Sequence, residues 1–334
     1  MSEKPAGLRC RNHYRALDID RLRAQNLSPW SRPDCKGSSP YQRIIHMPLL
    51  VVGTSHQTAP LEVREKLAFR RDEYREKVNE LCAMPAVDEA LLVSTCNRTE
   101  VYGIVLPENE LAIREWLTAV AGISEEEASR YIYQRKDAHA VEHLFKVASG
   151  LDSLVLGEPQ IVGQLKESWQ EATGAGGAGK IIDRLFQHAF ATGKAVRTGT
   201  GINEHPLSVA YITMVLARQI FGDLSSRKVL LVGAGEMIEL CGRHFKRQDG
   251  KELIIVNRSL DKAQALADEY QGRAVGLDSL QEVLPEADIV ISSTAARTHV
   301  ITGADVTQAL KARRRHPLFL VDIAVPRDID PGVA

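Results

Sequence analysis

Two groups of residues in this chain carry chemistry. The first is Cys96, in the stretch Ser94-Thr95-Cys96-Asn97-Arg98-Thr99-Glu100, a polar run that follows the apolar Ala90-Leu91-Leu92-Val93. A thiol leaving a buried strand has three readings: an inert packed group, a metal ligand or a nucleophile. Metal binding needs partners at close spacing, and the five cysteines (10, 35, 82, 96 and 241) form no CxxC pair. A nucleophile needs a lowered pKa. Arg98 could stabilise a thiolate, and Thr95 and Asn97 could hydrogen-bond a substrate oxygen. Local sequence leaves the packed and the nucleophilic readings open.

The second group is Gly233-Ala234-Gly235-Glu236-Met237-Ile238, which follows the strand pattern of "KVLLV" and opens a helical one. Gly233 permits the tight turn, and Gly235 lets the backbone approach a pyrophosphate. The helix start then offers free N–H groups and a partial positive charge. The third glycine of the fingerprint is replaced by Ile238. At the end of the next strand, where an NAD site usually has an acid, the chain reads Asn257-Arg258-Ser259. No carboxylate repels a 2′-phosphate there, and Arg258 can offer a guanidinium to it. The expected cofactor is therefore NADPH.

These groups need elements to position them. The chain has 334 residues, enough for two or more domains, with 44% hydrophobic and 25% charged residues. No apolar run approaches the ~20 residues of a membrane helix. Scattered cysteines favour a reducing cytoplasm. Residues 1–46 hold nine Lys/Arg against four acids, a net charge of +5, whereas the whole chain is −1. Their composition, with "SPWSRPDCKGSSP", predicts a disordered or non-native leader. Met47 is the expected start of the folded protein. A transit peptide would suit the arginines but not the acids. The remaining −6 body does not announce a nucleic-acid binder.

Strand patterns at 49–53, 90–94 and 99–105, with helical patterns at 60–84 and 108–121, predict a small α/β domain. Val141, Leu144, Phe145, Ala148, Leu151 and Leu154–Val155 form a helical stripe, and a second helix follows from Glu158, with Pro159 in its first turn. "TGAGGAGK" (173–180) reads as a flexible hinge or loop and not as a phosphate cradle. From 227 onwards strands alternate with helices, the pattern of a doubly wound parallel sheet. The predicted fold class is thus α/β. A catalytic and substrate domain spans 47–200, helical from about 137, and a Rossmann-like NADP domain spans 201–334.

The blocks "GTSHQTAPLEVREKLAF", "STCNRTEVY", "VASGLDSLVLGEPQIVGQLK", "LLVGAGEM" and "VNRS" occur in one order, and together they resemble the glutamyl-tRNA reductase family, bacterial type. The resemblance runs from about residue 48 to the end. It implies NADPH-dependent reduction of glutamyl-tRNA(Glu) to glutamate-1-semialdehyde, the first step of tetrapyrrole biosynthesis. Cys96 would take the glutamyl group from its ester as a thioester, which accepts hydride far better than a carboxylate.

The resemblance also assigns roles. Thr95, Asn97 and Arg98 match a substrate-binding run, with Arg98 suited to grip the glutamate side-chain carboxylate. Ser153, Glu158, Pro159, Gln160 and Gln164 match a second recognition block, with Glu158 a candidate for the α-ammonium. His143 matches a histidine expected to transfer a proton, and His56 a candidate pocket residue. The resemblance implies a homodimer for the full-length protein, and the C-terminal domain that would join the copies is expected to be missing from this sequence. The aminomutase that consumes the semialdehyde is a candidate partner. Where the family commonly reads "RTET", this chain has Arg197-Thr198-Gly199-Thr200. The basic stretch Lys311-Ala312-Arg313-Arg314-Arg315 is a candidate tRNA contact, though such runs are commonly solvated helix ends. Two other readings stand beside this one: a shikimate-dehydrogenase-like NADP oxidoreductase, and a tRNA-binding paralogue without catalysis.

Overall fold

The computed structural model describes residues 47–158, 160–200, 202, 209–246, 252–314 and 316–333. The 1–46 leader, Pro159 and Arg315 therefore lie outside the described residues.

The first half is built on four antiparallel strands in the order β2-β3-β1-β4. These are β1 (Leu49–Ser55), β2 (Val87–Ser94), β3 (Arg98–Val105) and β4 (Tyr133–Lys136). Strands β1 to β3 are the predicted apolar runs. The short polar β4 lies on the sheet edge, where Gln134, Arg135 and Lys136 stay exposed, so it carries no apolar signal. The helices are α1 (Leu61–Lys66), α2 (Tyr74–Ala83), α3 (Ala112–Ala121), α4 (Glu125–Tyr131), α5 (Ala138–Ala148), α6 (Gln160–Ala175) and α7 (Lys180–Gly199). Leu50, Leu92, Tyr102, Leu144, Leu165 and Phe186 meet in one core between sheet and helices.

Two predictions change here. The helical stripe expected to run on to Val155 stops at Ala148, because Gly150 takes φ +74 and turns the chain. Leu151 and Leu154 are exposed in the loop that follows. The glycine-rich stretch after α6 is docked and not hinge-like. Ala90 of β2 donates to the Gly177 carbonyl at 2.9 Å. A Cβ on Gly179 would meet Glu89 at 2.4 Å. The buried Glu89 carboxylate accepts from the N–H groups of Ile181 (3.1 Å) and Ile182 (2.7 Å), satisfying donors that the first turn of α7 leaves free.

The second half is a five-stranded parallel sheet, order β7-β6-β5-β8-β9. Its strands are β5 (Lys228–Val232), β6 (Glu252–Asn257), β7 (Arg273–Gly276), β8 (Ile289–Ser292) and β9 (Phe319–Asp322). The helices are α8 (Val209–Phe221), α9 (Glu236–Lys246), α10 (Leu260–Tyr270), α11 (Leu280–Val283) and α12 (Gly303–Ala312). Alternate residues of β5 enter different cores. Val229 and Leu231 pack with α8, α9 and α10, whereas Leu230 and Val232 pack with α11 and α12. Helices therefore cover both faces, which is the doubly wound arrangement predicted. No helix among the described residues is long and apolar enough to cross a membrane.

Candidate active site

Cys96 sits at the tip of the β2–β3 hairpin, and local chemistry fixes that tip. Ser94 pairs with Thr99, and the Thr95 N–H donates to the Arg98 carbonyl at 2.8 Å. The Thr95 hydroxyl accepts from the N–H groups of Asn97 and Arg98, each at 3.2 Å. Thr95 thus builds the turn, a use of threonine that competes with the substrate contact expected of it. From β1, the His56 N–H donates to the Asn97 carbonyl at 2.8 Å. From α1, Arg64 Nη1 donates to the carbonyl of Cys96 itself at 2.6 Å.

Behind the tip, β3 places Arg98, Glu100 and Tyr102 on one face by its two-residue period. All three are buried. Glu100 Oε1 accepts from Arg98 Nη1 (2.6 Å), the Tyr133 hydroxyl (2.5 Å) and His143 Nε2 (2.9 Å), and its Oε2 accepts from the Tyr102 hydroxyl (2.6 Å). Burial opposes ionisation of Glu100, but the Arg98 guanidinium and the His143 hydrogen bond hold its carboxyl far below the ordinary range. Arg98 Nη2 also donates to the carbonyl of Asp152 and, at 3.0 Å, to its carboxylate.

This network engages two residues with expected roles. The Arg98 side chain is 1% exposed and already faces two protein carboxylates, Glu100 and Asp152, instead of waiting for one from a substrate. His143 is buried, and its Nε2 lies on Glu100 Oε1 at 2.9 Å, inside the network. Nor is the thiol pre-ionised. Burial, followed by the charge of Glu158, pushes Cys96 up to about 11, against the opposing influence of Arg64 and Arg98.

Around the tip lie the remaining predicted residues. His56 is partly buried. Burial and the nearby Arg98 lower its pKa, and its Nδ1 is buried with no hydrogen-bond partner. Glu158 is buried in the loop entering α6, and its burial raises its carboxyl above the ordinary range. It joins no ion pair among the described residues, so a cationic ligand group would suit it. Glu158 feels the charges of both Cys96 and Glu236, the first residue of α9. Gln160 hydrogen-bonds Glu236. The second recognition block therefore lies between the cysteine and the glycine turn. Asn97, Ser153 and Gln164 are partly buried, and among the described residues their side chains make no hydrogen bonds within the protein.

The glycine turn fits a dinucleotide. Gly233 has φ +118, and a Cβ there would meet the Ser293 carbonyl at 2.2 Å, so only glycine closes this turn beneath the β5–β8 crevice where the strand order reverses. A Cβ on Gly235 would meet nothing within 4 Å, which leaves room above the turn. Ala234 and Met237 are partly exposed beside it, and Ile238 is fully buried, filling the place of the third glycine. At the end of β6, Asn257 Nδ2 donates to the Ser259 carbonyl at 3.1 Å, and Arg258 projects to solvent. The crevice floor is tied by Asp328, which accepts from the Ser292 hydroxyl (2.7 Å), the Thr294 N–H (2.7 Å) and the Thr294 hydroxyl.

The two halves touch through α1. Glu65 Oε1 accepts from the backbone N–H (2.7 Å) and Nε (2.9 Å) of Arg327, and its Oε2 accepts from Nη2 (2.8 Å). Arg297 pairs with Glu73 nearby. Between the halves a cleft of about 1040 Å³ is lined by Phe69, Arg71, Thr294 and Val325 among others, and Cys96 is not part of its wall.

Comparison with known proteins decides the family. A protein from Pseudoalteromonas translucida named "Glutamyl-tRNA reductase" is 45% identical over 287 residues, 86% of this chain and 69% of its own length. The chain belongs to the glutamyl-tRNA reductase family. A protein of the same name from Syntrophus aciditrophicus is 46% identical over 290 residues, with 86% and 69% covered. The family profile "Glutamyl-tRNAGlu reductase, N-terminal domain" matches residues 52–200, and "Shikimate / quinate 5-dehydrogenase" matches 215–334. That second match accounts for the shikimate-dehydrogenase-like reading of the second half. Both of these relatives span the two halves. The solved glutamyl-tRNA reductase from Methanopyrus kandleri is 33% identical, covering 85% of this chain and 68% of its own, with a TM-score of 0.45. This chain spans about two thirds of the length of these family relatives.

Sequence reading missed Arg64, Glu100, Asp152 and Tyr133. Glu100 was legible, since Arg98, Glu100 and Tyr102 alternate on β3. Arg64, Asp152 and Tyr133 reach the hairpin from α1, the 149–158 loop and β4, and no local pattern joins them. The candidate tRNA patch is partly structural. Arg313 Nη2 pairs with Asp288 (2.9 Å), and its Nη1 donates to the Pro285 carbonyl (3.0 Å).

Proposed function

We propose that this chain carries out the family reaction at Cys96, reducing glutamyl-tRNA(Glu) to glutamate-1-semialdehyde with NADPH as the cofactor. The observation that carries the reading is the convergence of three features. They are a thiol at a rigid hairpin tip, an unpaired buried acid beside it, and the start of the glycine-turn helix within that acid's field.

The chemistry follows from the groups present. The Cys96 thiolate adds to the ester carbonyl, the C–O bond to the 3′-oxygen breaks, and that oxygen takes a proton. A thioester remains on Sγ. Glu158 accepts the substrate ammonium, the cation that its unpaired carboxylate lacks. The β2–β3 turn, fixed by Thr95 and backed by the Arg98–Glu100–His143 network, keeps the sulfur in one position without help from the substrate. Residues 233–238 would hold the pyrophosphate, and Asn257, Arg258 and Ser259 the adenosine end, with Arg258 taking the 2′-phosphate. When bound, the cofactor would supply hydride to the thioester carbonyl, after which breaking of the C–S bond would release the aldehyde and return Cys96 to its thiolate.

Mass spectrometry of the protein mixed with glutamyl-tRNA and no nucleotide is expected to find one glutamyl adduct, on Cys96. An adduct elsewhere, or aldehyde production by Cys96→Ser, would overturn the reading. Faster turnover with NADH than with NADPH would overturn the cofactor choice alone.

A further inference from the structure

The site holds two guanidinium groups beside Cys96, and they are not equivalent. Arg98 is neutralised twice, by Glu100 at 2.6 Å and by Asp152 at 3.0 Å. Its field at the hairpin tip is correspondingly weakened, and it follows Arg64 among the charges that favour the Cys96 anion. Arg64 has no such counter-charge. Its Nη1 lies on the Cys96 carbonyl oxygen at 2.6 Å, and its Nε is buried without a partner. The acid next to it on α1, Glu65, is committed to Arg327, and Glu62 is exposed and faces Arg327 at 3.5 Å. Glu65 and Glu62 act on Arg64 only at a distance, so a half-buried cation in no ion pair among the described residues is anchored to the residue whose side chain must become an anion.

We propose that Arg64, more than Arg98, is the positioning residue that favours the thiolate of Cys96 against its burial. The proposal rests on Cys96 being the reacting group, as argued above, and adds the residue that makes it reactive. The proton lost from Sγ goes to solvent, and Arg64 keeps its own. The groups that face the sulfur are Arg64 from α1, Arg98 from β3 and Glu158 from the loop entering α6, with the His56 backbone behind the turn. Burial and Glu158 work against the anion. Burial also lowers the pKa of Arg64, whose first stabilising neighbour is Cys96, so each ion favours the other. Nothing in the spacing "VREKLAF…STCNR" announces the pairing, because 32 residues separate the two side chains.

The test separates charge from anchorage. Arg64→Gln keeps an N–H donor for the Cys96 carbonyl but loses the charge, and Arg64→Lys keeps the charge but loses the planar fork. Iodoacetamide labelling of the full protein is followed across pH by peptide mass spectrometry, with Cys82 as internal control. In Arg64→Gln the Cys96 labelling midpoint is expected to rise by about one pH unit, a roughly tenfold slower reaction at a fixed pH below it. Arg64→Lys should stay within about 0.3 unit of the parent, as expected where charge and not fork geometry sets the thiolate fraction. Cys82 labelling should not change in either. Equal shifts in both variants would reduce Arg64 to a backbone anchor, and an unshifted Gln variant would remove it from the account. Both results overturn the proposal. The readout needs no tRNA, so it can fail while the glutamyl adduct still forms on Cys96, and the reverse.

Discussion

Each half of the molecule buries a carboxylate under the loop that does its work, and the two halves stabilise it differently. Under the cysteine hairpin, Glu100 meets a guanidinium, an imidazole and two phenols. Under the nucleotide crevice, Asp328 meets two hydroxyls and a backbone N–H. The first arrangement uses full charges in a dry core, where a missing partner leaves an uncompensated ion. The second uses neutral donors, where a missing partner leaves one unmet hydrogen bond. The hairpin must hold a single sulfur atom in place, whereas the crevice loop has only to present a backbone surface to a ligand that brings its own charge.

Perturbation should separate the two regions in a definite order. Glu100→Gln should cost the most, about 3–5 kcal/mol, because Arg98 stays buried with its main counter-ion gone. Urea unfolding followed by the fluorescence of Trp116 and Trp169, both in the first half, measures it. A cost under about 1 kcal/mol would mean the network has no structural weight. The double change Arg98→Met with Glu100→Leu should recover most of that loss while still blocking adduct formation on Cys96. Asp328→Ala should cost less, about 1–3 kcal/mol, and the loss should be confined to hydrogen exchange in β8 and the 292–296 segment. Equal costs at the two sites would erase the distinction drawn here. Glu65→Gln should cost least, about 1 kcal/mol after allowance for its partial exposure, and should speed proteolysis between the halves.

Acid should also tell them apart. Hydrogen bonds from Arg327 hold Glu65 below the ordinary carboxylate range despite its burial, and Arg98 does the same for Glu100. Carboxylates depressed in this way contribute fully above their unfolded pKa of about 4. The contribution is lost as pH falls through the folded values, so the Glu100 network and the Glu65–Arg327 junction should weaken below about pH 4. In the second half, burial raises Asp322, whose folded form gains protons before its unfolded form and so favours folding as pH falls. Separate exchange rates for β3 and β9 between pH 5 and 3 would detect this. Loss in β9 ahead of β3 would contradict it.

Much of the fold was legible because its signals are local. Buried strands read as apolar runs, the parallel half as strands alternating with helices, and Gly233 as a turn that a side chain would block. The misreadings arose where local pattern and tertiary demand conflict. The apolar stripe through Leu151 and Leu154 satisfies a helix, but the chain leaves that helix at Gly150 so that Asp152 can meet Arg98. The glycines at 173–180 satisfy a hinge, yet they allow close approach to Glu89 and β2.

Sequence alone determined the fold class and the family and singled out Cys96 as the candidate thiol, since each depends on residue types in order along the chain. Tertiary structure decided which charges face that thiol. Electrostatic energy depends on distance and on what else lies within a few ångströms. Arg98, two residues from Cys96, is paired with Glu100 and Asp152, whereas Arg64, 32 residues away, joins no ion pair among the described residues and touches the cysteine backbone.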